Sequence, residues 1–249
     1  SFFPGEKELF RGLKIMELEQ EWKRYPVLHI DLSVTKGANS IEKLQEKLCF
    51  VLKPYVEEFG YDVDERTPGS LLMGLIRRMF NHSGSKVVVI IDEYDAPLLD
   101  VIHDQEQLDA MRMVMQEFYQ PLKPADPMLR FCLLTGITRL SQLNIFSTLN
   151  NLTNISLDPR YAAICGITED ELHAQLHDDV KMLAVEYDCS EWQMMAKLKM
   201  RYNGYHFARK SPGIYNPYSL LSAFAHKNIA NYWFETGTPT FLIRLMRYF

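Results

Sequence analysis

Two adjacent carboxylates, Asp92 and Glu93, are the residues of this sequence best suited to chemistry. They follow directly on the apolar run Val87-Val-Val-Ile-Ile91, in which no polar residue alternates. A strand of that composition is buried on both faces, as in the centre of a parallel sheet. Ligands of such sheets bind at the carboxyl ends of the strands, where these acids are expected. One acid can hold Mg²⁺, directly or through water, and the other can polarise an attacking water molecule.

Other polar residues are expected near this pair. Thr135 and Thr138 follow the next apolar strand, where a hydroxyl of a triphosphatase senses the γ-phosphate or orients the attacking water; the alternative is that they cap the following turn. Arg139 is predicted to contact the nucleotide phosphates, with a surface ion pair as the alternative. Asp95 is assigned a supporting place beside Asp92 and Glu93, and Asp100 is assigned to a helix N-terminus or a solvated turn.

Strands and helices alternate along the first part of the chain. Thr67-Pro68 is a helix start, because Thr is a good N-cap and Pro fits the first turn. The predicted strands cover 26–32, 86–91, 129–134 and 152–157, and the predicted helices cover 40–59, 67–84, 105–123 and 141–150. This alternation predicts an α/β fold with a parallel sheet.

The character of the sequence changes after Asp158-Pro159. Thr168-Glu-Asp-Glu171 is a capping box that opens a helix to about residue 185, and Ser190-Glu-Trp-Gln193 opens the next helix. Two further helix starts are predicted at Asn216-Pro217 and Thr238-Pro239. The sequence therefore predicts a core domain over residues 1–160 and a mostly helical domain over residues 161–249.

Composition limits the classes of partner. A net charge of −5 and a pI near 5.8 argue against a basic surface for nucleic acid over the whole domain, although a nucleic-acid partner is left open. Four cysteines without a Cys-x-x-Cys pair indicate reduced thiols in the cytoplasm. The sequence has no signal peptide and no apolar run near the roughly 18 residues that span a bilayer, so no membrane association is expected. His173 and His177 are assigned to a solvated helix face.

A phosphate-binding loop is missing from the sequence. Such a loop needs Gly-x-x-x-x-Gly-Lys-Ser/Thr between a strand and a helix, so that backbone amides surround the phosphates. Gly84-Ser-Lys86 precedes a strand instead of following one, and Thr35-Lys-Gly-Ala38 has one glycine in the wrong order.

The chain resembles the AAA-ATPase-like domain of bacterial proteins that are often joined to a C-terminal PD-(D/E)XK nuclease-like domain. The clusters Asp92-Glu-Tyr-Asp-Ala-Pro97 and Tyr202-Asn-Gly-Tyr205 together carry most of the specificity. The matching segments, in chain order, are Glu8–Lys14, Tyr25–Ser33, Val89–Leu98, Leu134–Thr138, Leu157–Tyr161, Tyr202–Phe207, Tyr215–Leu221 and Tyr232–Thr240.

This resemblance implies a P-loop NTPase-like core followed by a helical lid or a winged-helix-like region. It also implies that the first strand and the phosphate loop lie just before the start of this chain, and a nuclease-like domain beyond its end. By carry-over, Asp92 would hold Mg²⁺, Glu93 would activate water, and Thr135 or Thr138 would be the sensor. ATP and Mg²⁺ are the ligands implied.

Three functions follow from these expectations. The first is a Mg²⁺-dependent ATPase domain that regulates an attached effector. The alternative is a non-catalytic protein-interaction module with an ATPase-like fold. A metal-dependent nuclease using Asp92, Glu93 and Asp95 is disfavoured, because no Lys follows Glu93 at the spacing that such nucleases need. The oligomeric state is left open.

Overall fold

The computed structural model describes residues 2–137, 145, 149, 151–208 and 211–233 of the chain. The chain divides into two compact units, unit 1 over Ser1–Thr153 and unit 2 over Asn154–Phe249.

A parallel sheet forms the centre of unit 1. Its strands are β1 (Val27–Asp31), β2 (Val87–Asp92) and β3 (Leu129–Leu134), in the spatial order β1-β2-β3. In β2, Val87, Val88, Val89 and Ile91 have no exposed surface. The prediction of a central strand covered on both faces is therefore confirmed, and the mixed α/β architecture is consistent with a P-loop-like core.

Unit 1 also contains several helices, and the longer ones pack against the sheet. The helices are α1 (Ile15–Leu18), α2 (Ile41–Phe59), α3 (Pro68–Ser83), α4 (Ala96–Leu99) and α5 (Gln105–Tyr119), with short 3-10 turns between them. The predicted start of α3 is confirmed, because Thr67 and Ser70 form a reciprocal capping box and Pro68 occupies the first turn. Leu44, Leu48, Leu52, Leu72, Leu75, Ile76, Met111, Met115 and Phe118 are among the buried side chains that join these helices to the sheet.

Two predictions for unit 1 need correction. The helix predicted over 105–123 ends at Tyr119 and continues as a 3-10 turn, Gln120–Leu122, in which Pro121 has no N–H to donate. The strand predicted over 152–157 is absent, because the side chain of Asn154 accepts a hydrogen bond from the Ser156 amide and closes a local turn. The helix predicted over 141–150 lies almost entirely outside the described residues.

Unit 2 is mostly helical in the part that the structure describes. It contains α6 (Glu169–Gln175), α7 (His177–Glu186), α8 (Glu191–Tyr202) and α9 (Pro217–His226), and β4 (Asn203–Tyr205) pairs antiparallel with β5 (Ile214–Tyr215). The capping boxes at Thr168 and Ser190 and the N-cap at Asn216 are confirmed. Its core contains Leu172, Val180, Leu183, Met194, Leu198, Tyr215 and Leu220.

One helix boundary in unit 2 was predicted wrongly. The single helix expected over 168–185 is divided at Leu176, whose φ of −118° and ψ of 19° leave the helical region. Asp178 and Asp179 then lie in the first turn of α7, where carboxylates favour a helix N-terminus. The helix start predicted at Thr238-Pro239 lies outside the described residues. No helix in the described part of the chain has the length and apolar character needed to cross a bilayer.

Candidate functional site

Three neighbouring strands end in polar residues at one edge of the sheet. Asp31 of β1 lies opposite Asp92 of β2 in the parallel register. Thr135 directly follows β3, and its amide donates a hydrogen bond of 2.9 Å to the Ile91 carbonyl of β2. The sheet therefore aligns Asp31, Asp92 and Thr135 at its carboxyl edge, as expected for parallel strands.

Asp92 is held by two hydrogen bonds to one carboxylate oxygen. The Thr135 hydroxyl donates to Asp92 Oδ1, and the Glu93 amide donates to the same atom at 3.0 Å. No described residue donates a hydrogen bond to Asp92 Oδ2. The two hydrogen bonds to Oδ1 fix the orientation of the carboxylate. Because the Asp92 residue is exposed, the other oxygen, Oδ2, is available to a ligand.

Glu93 adopts an unusual backbone conformation. Its φ of +49° lies in the left-handed region, which a residue with a Cβ enters at a cost. Its carboxylate lies beside the loop that follows β1, where Oε2 is 2.5 Å from Lys36 Nζ. The two adjacent acids thus contact opposite neighbours: Asp92 contacts the end of β3 and Glu93 contacts the loop after β1. Outliers of this kind concentrate at functional sites.

The loop after β1, residues 32–38, is fixed by side chains at several points. Asp31 accepts a hydrogen bond from the Ser33 amide at 2.8 Å, which is the main reason why the pKa of this carboxyl lies below its usual value. The buried Thr35 hydroxyl donates to the Leu32 carbonyl at 2.6 Å. These contacts stabilise the 3-10 turn Leu32–Thr35 that directly follows β1.

Two side chains from other elements complete the anchoring of this loop. Lys47 of α2 donates to the Val34 and Lys36 carbonyls at 3.0 and 2.6 Å. Asp100, assigned from the sequence to a helix N-terminus or a solvated turn, instead accepts the Gly37 amide at 2.8 Å. Because that amide is occupied, it does not contribute to an amide cradle for phosphate.

Asp95 lies beneath the site as a fully buried carboxylate. Its Oδ2 accepts a hydrogen bond of 3.0 Å from the Ile137 amide, which ties the loop after β3 to the loop after β2. A Cβ on Gly136 would lie 2.6 Å from Asp95 Oδ1, so this position has no room for a side chain. The Tyr119 hydroxyl donates to the Tyr94 carbonyl nearby, and burial, reinforced by the charge of Asp95, raises the pKa of Tyr119 well above its ordinary value.

The predicted site residues have different outcomes. Asp92, Glu93 and Thr135 are brought together, whereas Thr138 and Arg139 lie outside the described residues. Lys36 was missed as a contact of Glu93. A signal for it existed, since Lys36 follows β1 by five residues and residues after neighbouring parallel strands share one edge.

A cation at this edge would need oxygen ligands from its substrate. The described residues contain no group of three or more His, Cys, Asp or Glu side chains arranged to hold a metal ion. His177, on the helical face of unit 2, lies 3.7 Å from Glu191 and forms no such group. Mg²⁺ is commonly held by one or two carboxylates, waters and substrate phosphates, and an oriented, open Asp92 fits that requirement.

Comparison with known proteins identifies the family of this chain. A family model described as "Predicted AAA-ATPase" matches residues 1–146, which include all three strands and the whole carboxyl edge. The chain belongs to this AAA-ATPase-like family. Membership places unit 1 among nucleotide-binding, ATPase-like domains.

A curated relative of this AAA-ATPase-like chain extends over both units. It is described as an uncharacterized protein in the vnfD 5′ region of Azotobacter chroococcum mcd 1, and it is 34% identical over 246 residues. The match covers 98% of this chain but 45% of that protein, so the chain spans less than half of the relative's length. No solved structure matches the chain.

Proposed function

We propose that unit 1 binds the complex of Mg²⁺ with ATP at the carboxyl edge of the sheet and promotes hydrolysis of the γ-phosphate. The observation that carries this proposal is the arrangement of two consecutive acids at the end of the central strand. Asp92 is oriented by the Thr135 hydroxyl, and Glu93 lies directly beside it. The choice of ATP rests on the family to which the chain belongs.

Asp92 is the residue that would hold the metal ion, through the open oxygen Oδ2. Thr135 fixes the carboxylate from the β3 side, so little rotational freedom has to be lost when the ion binds. When bound there, Mg²⁺ would neutralise part of the charge on the phosphate oxygens. The nearby carboxylates alone repel a polyanion, which explains why the metal would be required.

Glu93 is the residue that would accept the proton of the attacking water. The water oxygen forms a bond to the γ-phosphorus, its proton passes to a carboxylate oxygen of Glu93, and the bond from phosphorus to the bridging β-phosphate oxygen breaks. The products are ADP and inorganic phosphate. Positioning and charge neutralisation supply most of the rate in such reactions; the residues at this edge would supply the positioning, and the bound Mg²⁺ would supply the neutralisation.

The remaining expectations belong to the same proposal. Residues 1–160 would be the P-loop type core, and residues 161–249 a lid or winged-helix-like region whose position responds to the nucleotide. Thr138 and Arg139 would add contacts to the γ-phosphate. A nuclease-like domain joined to the chain would be the effector, and the cytoplasm the location.

A non-catalytic interaction module is the second candidate. The contact that favours it is the ion pair of Lys36 with Glu93, because this pair covers one oxygen of the proposed base. The Gly37 amide also favours this candidate, because its hydrogen bond to Asp100 leaves one donor fewer in the loop after β1 to bind phosphate.

Steady-state hydrolysis of Mg²⁺-ATP by the full natural polypeptide tests the proposal. Glu93→Gln should retain nucleotide binding and lose about 100-fold or more in turnover, the scale of a lost general base. Asp92→Asn should weaken the dependence on Mg²⁺. Glu46→Gln, an exposed acid of α2, is the matched control and should behave as wild type. Unchanged turnover in both site variants would refute the ATPase proposal and favour the interaction module.

A further inference from the structure

A groove of about 540 Å³ lies among three helices of unit 2. α8 contributes four of its side chains, at the helical spacing i, i+3, i+4 and i+7: Trp192, Met195, Ala196 and Lys199. This spacing places them in one stripe along α8, about 10 Å long. The rest of the lining comes from α6 and α7. The groove therefore belongs to unit 2 alone and is built from helix surfaces.

The stripe is a second apolar face of α8. The first face, with Met194, Leu198 and Tyr202, is buried in the core of unit 2. Trp192, in contrast, is 79% exposed. A surface helix normally has one apolar stripe towards the core and polar residues elsewhere. Because exposed tryptophan is enriched where proteins contact one another, the second face is typical of an interaction surface.

The lining of the groove can adapt to the shape of a partner. Leu172 and Val180 line it from the buried core, and they give it a fixed apolar base. Met195 lines it as a half-buried side chain. Methionine is unbranched and polarisable, so it fits irregular partner surfaces well. The groove thus combines a rigid base with adjustable contacts.

Negative charge is concentrated in the helices that form the groove. Residues 169–191, which include α6 and α7, contain eight Asp or Glu and one Lys, a net charge of −7. The whole chain has a net charge of −5, so the rest of it is slightly basic. Six of these eight acids are exposed residues. Lys199, which lines the groove, is paired with Glu169 at 2.6 Å. This surface therefore attracts cations and repels polyanions.

We propose that the groove binds a basic amphipathic helix of a protein partner. Such a helix places apolar anchors at i, i+3, i+4 and i+7 into a hydrophobic groove, and its cationic residues would face the surrounding carboxylates. The same carboxylates repel nucleic acid and anionic lipid surfaces. A small ligand would be poorly enclosed, because Trp192 is largely exposed. The inference goes beyond the proposed function, since it concerns unit 2 and needs no nucleotide.

Calorimetric titration of the full natural polypeptide with a designed peptide tests the proposal. The probe has about 14 leucine and lysine residues, with the leucines at helical spacing so that one face is apolar and the other cationic. Trp192→Ala should weaken its binding about 30-fold, which corresponds to about 2 kcal/mol, the loss of one strong anchor. Trp192→Phe should retain most of the affinity. Met200→Ala, at an 84% exposed position of α8 outside the groove, is the matched control and should bind as wild type.

Two control peptides separate the apolar face from the charge. A peptide of the same composition, in an order that gives no apolar face, should bind at least about tenfold more weakly. A peptide with glutamate in place of lysine should not bind, because it meets a segment with a net charge of −7. Equal binding of the reordered peptide would mean that charge alone acts, and equal binding of the glutamate peptide would mean that charge has no part. Either result would overturn the proposal.

Tryptophan fluorescence gives a second readout. Binding of the probe should shift the emission of Trp192 to shorter wavelength, because its exposed indole leaves water. The shift should be absent in Trp192→Phe, in which Trp22 and Trp233 remain. A shift of the same size in Trp192→Phe would show that the peptide binds elsewhere on the protein and would overturn the inference.

Three further results would contradict the proposed occupant. No binding of the probe at about 100 μM would show that the groove takes no such helix. Equal affinities of wild type and Trp192→Ala would place the binding outside the groove. Self-association of wild type in sedimentation experiments that disappears in Trp192→Ala would show that a second copy of the chain fills the groove.

Discussion

The left-handed backbone at Glu93 predicts that a glycine variant at this position is more stable than an alanine variant. Glu93→Ala and Glu93→Gly both remove the carboxylate and its contact with Lys36, so they differ only in the backbone at φ = +49°. A Cβ in this region costs about 1–2 kcal/mol, which glycine does not have to bear. The extra freedom of glycine in the unfolded chain opposes this by about 0.4–1 kcal/mol. The glycine variant should therefore be more stable than the alanine variant by about 0.5–1 kcal/mol.

At the matched control position, the difference in stability between the glycine and alanine variants should have the opposite sign. Glu46 is an exposed residue within α2, where the backbone is helical. There, the glycine variant should be less stable than the alanine variant by about 1 kcal/mol, because glycine increases the entropy of the unfolded chain and relieves no strain in the helix. The two pairs of variants thus share the same chemical change and differ in local conformation.

The assay should report on unit 1 alone, since the chain has two compact units. Urea-dependent hydrogen exchange of the peptide that contains β2 gives the free energy of opening of the central strand. If Glu93→Gly is less stable than Glu93→Ala by the same amount as the Glu46 pair, the backbone at Glu93 is not in the left-handed region and this account of the turn is wrong.

Three further predictions concern the surroundings of the site. Gly136→Ala should destabilise unit 1 by about 1–3 kcal/mol, because the new Cβ would lie 2.5 Å from Tyr94 Cε1; an unchanged urea midpoint would contradict this. Asp31→Asn should lower stability at neutral pH, and the difference should shrink as the pH falls below about 4, because a depressed pKa adds stability only while the carboxyl is ionised; a pH-independent difference would refute it. Thiol labelling at pH 8 should modify exposed Cys165 rapidly and spare Cys132, whose pKa burial raises to about 12; equal rates would contradict it.

The sequence was sufficient where a local rule determines the structure. The apolar run before Asp92 predicted the central strand, because an unbroken run of β-branched residues is typical of a strand covered on both faces, and four of its five residues are fully buried. Thr67, Thr168 and Ser190 identified helix starts through their caps. The adjacency of Asp92 and Thr135 followed from the rule that parallel strands share a carboxyl edge.

Prediction from the sequence failed where a side chain forms a hydrogen bond with the nearby backbone, and where residues distant in the chain contact one another. Asn154 closes a turn with Ser156 in a segment whose composition suggested a strand. The positive φ of Glu93 was not predicted, since a glutamate carries no preference for that region. The Lys36 contact depends on how Asp100 and Lys47, 64 and 11 residues away from it, hold one loop, and pattern rules over short windows do not include such pairs.

Asp92 is central to the proposed nucleotide site, because it is the residue that would hold the metal ion. The direct measurement is electron paramagnetic resonance of Mn²⁺, in place of Mg²⁺, titrated into the full natural polypeptide with and without ATP. We predict Mn²⁺ binding that depends on ATP in wild type, is lost in Asp92→Asn, and persists in Glu93→Gln and Glu46→Gln. Binding in Asp92→Asn equal to wild type, or no ATP-dependent binding in any of these proteins, would contradict the assignment.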